Sequence, residues 1–326
     1  MNPPATRPLW QRMLIRRLKF FGVLVALVVV LLGGSYLFAP QWLLRAHVMR
    51  QAMTAHVEKH TVRAGDTTWS YYEGGQGPTL VLLHGFAADK TLWLPLAEQL
   101  TPHFHLVIPD LPGWGESSRE PGGNYGIQAQ AARLQAFLDA LNLQRVVLVG
   151  HSMGGAVAGV YAANHPRGVA ALALLDAYGL KARENDFDRA VLAGKNPFVY
   201  DDRAGFEHAL ELAFLHPPEV PGRIEDVFVA RNRQDRAFIE RTLAKLRQPD
   251  DYLSLQHVLD RLTMPVLGVW CREDRMVDPS ALDSLRDGLV QASTISSSLL
   301  SGCNHMPMME KPEATAQVLT GFVLGR

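Results

Sequence analysis

At 326 residues, 48% hydrophobic and 20% charged, the chain is long enough for one α/β domain of roughly 250–300 residues plus extra segments, and too apolar to be disordered. Lys+Arg and Asp+Glu number 32 each, a balance that excludes a nucleic-acid binder, which needs a basic face. Two cysteines, Cys271 and Cys303, exclude a disulfide-built scaffold and a four-cysteine zinc site.

The charge is uneven along the chain. No acid precedes Glu58, whereas Arg7, Arg12, Arg16, Arg17, Lys19, Arg45 and Arg50 do, leaving 25 bases against 32 acids over residues 58–326. The twenty residues from Phe20 to Ala39 carry no formal charge, and as a helix of about 30 Å they would cross the hydrocarbon core of a bilayer. A cleaved signal peptide is the competing reading, but its apolar region is shorter, about 7–15 residues, and here Ala39 runs into Pro40. Residues 1–19 thus read as a basic cytoplasmic N-terminus and 20–39 as an uncleaved, single-pass anchor. The positive-inside rule puts residues 40–326 across the inner (cytoplasmic) membrane, on the extracytoplasmic side, which in a Gram-negative bacterium is the periplasm.

Residues 40–60 read as a juxtamembrane helix. Trp42, Leu43, Ala46, Met49 and Met53 recur at helical spacing against Arg45, Arg50 and Gln51, which suits a stem packed on the domain or a helix lying in the lipid interface. The anchor and this helix are together a candidate surface for a homodimer.

Beyond them strands alternate with helices. Thr61–Arg63 and Thr67–Glu73 flank the turn Ala64-Gly65-Asp66 as an antiparallel hairpin. Thr79–Leu83, Leu106–Pro109, Val146–Val149, Ala170–Leu175 and Val266–Cys271 are short apolar runs, each followed by a segment of helical period. That alternation means a mostly parallel sheet with helices on both faces. Between Gly179 and Leu259 the strand rhythm stops, so 179–259 reads as an inserted helical cap and 61–178 with 260–326 as the core. Phe198, Phe206 and Phe214 in that insertion are expected to line an acyl tunnel, the competing reading being the cap's own core. His103 and His105 read as ordinary strand residues, with no third ligand spaced for a metal.

The chemistry falls at strand ends. Gly150-His151-Ser152-Met153-Gly154 sits between the strand Val146–Val149 and a helical stretch, where a sharp turn presents a nucleophilic serine. A phosphate-cradling turn is disfavoured, because no Lys-Ser/Thr follows and the G-x-G-x-x-G spacing is absent. His84-Gly85-Phe86 ends the strand Thr79–Leu83, so the N–H groups of Phe86 and Met153 are expected to form an oxyanion hole, with His84 a buried structural histidine. A serine needs a histidine to take its proton and a carboxylate to fix that histidine. Asp274 follows the strand Val266–Cys271, ahead of rivals Glu273, Asp278 and Asp176, and His305 follows the next strand-like segment. A Cys271–Cys303 bridge would brace both loops and export would permit it, yet two small buried thiols are the commoner outcome and the expectation here.

Gly-His-Ser-Met-Gly-Gly at 150–155, His84-Gly85-Phe86, Pro109-Asp110-Leu111-Pro112-Gly113-Trp114-Gly115 and the Asp274 and His305 loops together resemble the α/β-hydrolase superfamily, over about Thr61 to Phe322. The anchor, Tyr72-Glu73-Gly74-Gly75, Gly85-Phe86-Ala87-Ala88-Asp89-Lys90, Asn196-Pro197-Phe198 and Phe214-Leu215-His216-Pro217-Pro218 are similar to a narrower set, the anchored bacterial lipases and phospholipases A and, in turn, the human membrane-bound monoacylglycerol lipase. Many relatives carry glycine where Cys271 stands. The resemblance implies a lipase acting on lipid esters at a membrane, with Ser152, Asp274 and His305 as triad and neither metal nor cofactor. Carbon–carbon hydrolases and serine perhydrolases share the fold. A noncatalytic lipid-binding module is disfavoured because no triad member is missing.

Overall fold

The structure, a computed structural model, describes residues 8–325; residues 1–7, with the first part of the basic N-terminus, and Arg326 lie outside it. In chain order the elements are α1 (Leu9–Phe38), α2 (Pro40–Thr54), β1 (Val57–Ala64), β2 (Thr67–Gly74), β3 (Thr79–Leu83), α3 (Leu94–Leu100), β4 (His105–Pro109), α4 (Ile127–Ala140), β5 (Val146–His151), α5 (Met153–Asn164) and β6 (Val169–Leu175). Then follow α6 (Asp186–Leu192), α7 (Arg203–Ala213), α8 (Gly222–Leu246), α9 (Pro249–Tyr252), β7 (Val266–Cys271), α10 (Ala281–Gly288), β8 (Ile295–Leu300), α11 (Pro307–Glu310) and α12 (Pro312–Leu324).

Eight strands form one sheet in the order β1-β2-β4-β3-β5-β6-β7-β8. The pairs β1–β2 and β2–β4 are antiparallel and the rest parallel. Strand alternation divides the core between the two faces. Val81 and Leu83 of β3 and Leu148 of β5 join Leu134 and Phe137 of α4 and Val157 of α5 on one side. On the other, Leu80 and Leu82 and, from β5, Val149 pack with Leu96 of α3 and Leu319 of α12. Both edges are blunted by polar residues: Glu58, Lys59 and Arg63 on β1, and Ser296, Ser297 and Ser298 on β8.

Two expectations need correction. β1 begins at Val57, so the helix expected over 40–60 ends at Thr54 and the hairpin is longer. Edge position explains it, because the outward Glu58, Lys59 and His60 hide the strand's alternation. His103 lies in the turn before β4, and only His105 is on the strand, where its ring contacts Thr79 Oγ1 and Glu73.

The α1 helix spans 30 residues with none buried, and is the one helix among the described residues long and apolar enough to cross a membrane. It starts well before Phe20, taking in Arg12, Arg16, Arg17 and Lys19. At Ala39 (φ −147°, ψ 54°) the chain leaves helical geometry and Pro40 opens α2, a position where proline's fixed φ and missing N–H suit a helix start.

Candidate active site

The turn from β5 to α5 depends on two close approaches. A Cβ on Gly150 would lie 2.4 Å from the Gly154 carbonyl oxygen, and one on Gly154 would lie 2.3 Å from that of Leu83. Only glycine lets the backbones come so near. Ser152 itself sits at φ 50°, ψ −119°, a strained conformation for a side-chain-bearing residue. It is held by its N–H donating to the Leu175 carbonyl at 3.0 Å and its own carbonyl accepting from Tyr178 N–H at 3.0 Å.

His305 is buried, and its Nδ1–H donates to Asp274 Oδ2 at 2.9 Å, which leaves Nε2 free to accept a proton. Asp274 Oδ1 accepts from the N–H groups of Met276 and Val277 at 2.7 and 3.0 Å. The loop carrying His305 is tied down on every side: its N–H donates to the Ala213 carbonyl at 3.0 Å, and its carbonyl accepts from His151 Nε2–H at 2.7 Å. Burial, and then the nearby imidazole of His305, hold His151 well below the usual histidine range. Its ring is therefore neutral. Asn304 accepts from Arg275 N–H at 2.8 Å through Oδ1 and donates to the Leu212 carbonyl at 2.8 Å. Glu310 accepts from Leu215, His216 and Asn304 N–H groups. His151, Asn304 and Glu310 were not marked by the sequence, since each works through a backbone partner distant in the chain.

Cys271 and Cys303 form a disulfide with Cα atoms 5.4 Å apart, so the expectation of two free thiols is corrected. Adjacent parallel strands β7 and β8 bring their C-terminal ends within bridging distance, and the bond joins the Asp274 loop to the His305 loop.

The segment opposite Ser152 is equally fixed. A Cβ on Gly85 would lie 3.1 Å from Ser152 Cβ, so the backbone of residues 84–86 runs directly past the serine. Phe86 and Met153 N–H groups have no protein acceptor among the described residues. His84 is buried; its Nδ1–H donates to the Gly85 carbonyl at 2.8 Å, Nε2 accepts from Leu111 N–H at 2.9 Å, and burial lowers its pKa. Below it Lys90 Nζ donates to Asp110 at 2.6 Å and to Glu116 at 2.7 Å. Although burial works against its charge, the two carboxylates raise the Lys90 pKa. Glu116, despite partial burial, is brought down to about 2 by hydrogen bonds from Lys90 and Lys59. This ion network ties the loop after β3 to the loop after β4.

Two cavities meet at Ser152, Phe86, Phe198, Met276 and His305: one of about 800 Å³, the other of about 240 Å³. Phe198 lines both and Phe206 the larger, while Leu180 and Val191 line the smaller. Phe214 lines neither; it is buried in the core with Met306 and Met308, which corrects its expected role. It follows the C-terminus of α7, where the chain turns under the His305 loop. The larger cavity has a wall the sequence did not indicate: Leu43, Leu44, His47, Val48 and Gln51 of α2, with Tyr36 at the end of α1. Trp42, Met49 and Met53 of α2 instead point outward, 61–70% exposed.

Asp176, Asp274 and His305 form the one cluster among the described residues whose ligand atoms all lie within 4.8 Å of one another. An ion there would compete with the His305–Asp274 hydrogen bond.

The model of the alpha/beta hydrolase fold matches residues 78–312. The chain is 28% identical over 315 residues to monoacylglycerol lipase ABHD6 of Bos taurus, covering 93% of each protein. It is 29% identical over 278 residues to Lipase 1 of Psychrobacter immobilis, covering 84% of this chain and 86% of that one. A crystal structure of a membrane phospholipase A superposes with a TM-score of 0.83 at 34% identity, over 94% of this chain and 98% of that one.

Proposed function

Because the chain belongs to the α/β-hydrolase family and is an ester-hydrolysing enzyme of the lipase kind, we propose that Ser152, His305 and Asp274 are its catalytic triad and membrane lipids its substrates. His305 Nε2 takes the Ser152 hydroxyl proton as Oγ attacks the ester carbonyl carbon. The carbonyl oxygen becomes an oxyanion that accepts hydrogen bonds from Phe86 and Met153 N–H. Collapse breaks the bond to the alcohol oxygen, which leaves with the proton from His305. Water then attacks the acyl-enzyme, giving its proton to the same nitrogen, and Ser152 is released with the carboxylic acid. Asp274 keeps the Nδ1–H tautomer and stabilises the imidazolium.

The observation that carries the substrate reading is the wall that α2 and the end of α1 give the larger cavity. An ester drawn from the bilayer would reach Ser152 past the element that emerges from it, and tethering raises the local concentration of membrane lipids alone. The outward Trp42, Met49 and Met53 suit an interfacial position. Phe198 and Phe206 would contact the acyl chain, with 179–259 as cap. Monoacylglycerols and (lyso)phospholipids with medium-to-long chains are the expected substrates.

The basic flank of α1 supports a catalytic domain on the periplasmic side of the inner membrane, and the disulfide suits that oxidising compartment. A homodimer through α1 and α2 fits the apolar surfaces both expose, and cross-linking in membranes tests it. The deciding experiment assays the full-length protein on monoacyl and phospholipid esters of graded chain length, with Ser152→Ala as control. A preference for acetyl esters, unchanged when residues 1–40 are deleted, would defeat the membrane-lipid reading and leave the esterase standing.

A further inference from the structure

A third buried acid stands behind Asp274 and His305, and the mechanism above does not use it. Asp176 directly follows β6, is fully buried and has φ 45°. Its N–H donates to the Val269 carbonyl at 2.9 Å and its Oδ1 accepts from Cys271 N–H at 2.9 Å. Its Oδ2 meets no donor among the described residues. Instead, a carboxylate oxygen of Asp176, one of Asp274 and a ring nitrogen of His305 lie within 4.8 Å of one another.

Two carboxylates that close in a dry interior cannot both be ionised, and such a pair shares one proton. The hydrogen bonds decide which acid carries it. Asp274 accepts from two backbone N–H groups and an imidazole N–H, whereas Asp176 accepts from one backbone N–H. The charge therefore stays on Asp274 and the proton on Asp176. Burial, and next the Asp274 charge, push the Asp176 carboxyl well above its ordinary range, and the more distant Glu310 acts in the same direction. Among the described residues the basic group in the cluster is His305, which Asp274 already engages.

Resting on the triad reading, we propose that Asp176 is a positioning residue that steadies Asp274 by donating its carboxyl proton in a hydrogen bond, and that it supplies the carboxylate for His305 when Asp274 cannot. The first role needs only a donor. The second needs an ionisable acid, and this separates Asp176 from a residue that merely fills space.

The test is a double-mutant cycle in the full-length protein, read as kcat and KM for p-nitrophenyl butyrate across pH, with melting curves and near-UV circular dichroism to show that each variant folds. Asp176→Asn keeps a donor for Asp274 and an acceptor for Cys271 N–H, and is expected to stay within about threefold of wild type, whereas Asp176→Leu loses about tenfold in kcat with KM unchanged. In Asp274→Asn the remaining acid ionises, so adding Asp176→Asn to that variant costs a further ten- to hundredfold or so, far more than it costs alone. The acid limb of kcat/KM lies at lower pH in the double variant than in Asp274→Asn, because the imidazolium has lost its last carboxylate. Single losses that simply multiply, with the acid limb unmoved, overturn the proposal and leave the triad intact. Wild-type activity in Asp274→Asn beside a dead Asp176→Asn overturns the assignment of Asp274 itself, and the proposal with it.

Discussion

Around Asp274 and His305 the polar atoms are answered both within their own loops, by Met276 and Val277 N–H on Asp274, and from distant chain, by His151 and Ala213 on the His305 backbone, while Asn304 links the two loops through Arg275 and a disulfide crosses between them. The segment from α6 to α9 is held together differently. Phe206 stacks on Phe228 with centroids 5.3 Å apart, Tyr200 meets Phe206 at 5.6 Å, and Phe187 meets Phe198 at 5.8 Å. Its polar links lie mostly at the surface, where Arg203 pairs with Asp226 and Arg236 with Asp201 and Glu240, and among the half-buried ones Asn232 bridges Tyr200 N–H and the Phe198 carbonyl. Hydrogen bonds fix atoms to within fractions of an ångström, as proton transfer requires, whereas ring packing accepts small displacements. The floor of the cavity is thereby held to one geometry, while its roof tolerates small shifts.

Mutations on the two sides should therefore fail in different ways. Ser152→Ala is expected to lower ester turnover by at least about a thousandfold without moving the melting temperature; residual activity above that level would place the nucleophile elsewhere. Phe214→Ala, beneath the roof but in the core, should destabilise by about 3–5 kcal/mol in denaturant titrations and leave chain-length preference alone. A shift in preference would move Phe214 to the cavity after all. Cys303→Ala should cost roughly 2–4 kcal/mol and also lower kcat, since it loosens the acid and the histidine together; a drop in stability with kcat intact would mean that the hydrogen bonds alone align them. Phe198→Ala should change KM and chain-length preference by about tenfold with kcat nearly unchanged, the pattern of a roof residue.

The smallest expected effect lies in the ion network under the floor. Glu116 is held at about 2 in the folded protein against an ordinary 4.5, so the folded state prefers it ionised. That contribution is whole above pH 4.5 or so and is lost as pH falls through about 2. Glu116→Gln should flatten the loss of thermal stability over that acid window, by a margin kept small because the carboxylate is 52% exposed. Identical acid profiles for the two proteins would show that Lys90 is satisfied by Asp110 alone.

What the sequence disclosed follows the same division. The elbow was legible because Gly150 and Gly154 are demanded by backbone approach, and the order of Ser152, Asp274 and His305 follows from strands that announce themselves as apolar runs. Phe198 and Phe214 look alike in sequence, both aromatic and both near proline, and only the path of the chain after α7 sends one to the cavity and the other to the core. Helical periodicity found an apolar stripe on α2 but assigned no partner to either face: Trp42, Met49 and Met53 are outward, and Leu43, Leu44 and Val48 line the larger cavity. Lys90, Asp110 and Glu116 are paired across separate loops, and a long-range ion pair leaves no period to detect. The pairing of Cys271 with Cys303 depended on β7 and β8 being neighbours in register, a matter of topology rather than composition.

The break at Ala39 marks where the long apolar helix ends, but not where the cavity begins. Since α2 walls the larger cavity, its 15 residues would, with α1 in a bilayer, act as a ruler that sets the height of Ser152 above it, and the ruler is itself part of the vessel it positions. A version trimmed at Pro40 would keep the α2 side of the vessel and lose only what Tyr36 adds to it. One trimmed at the first strand would be a bowl with a side missing, and residues added within α2 would deform the cavity rather than lengthen the tether.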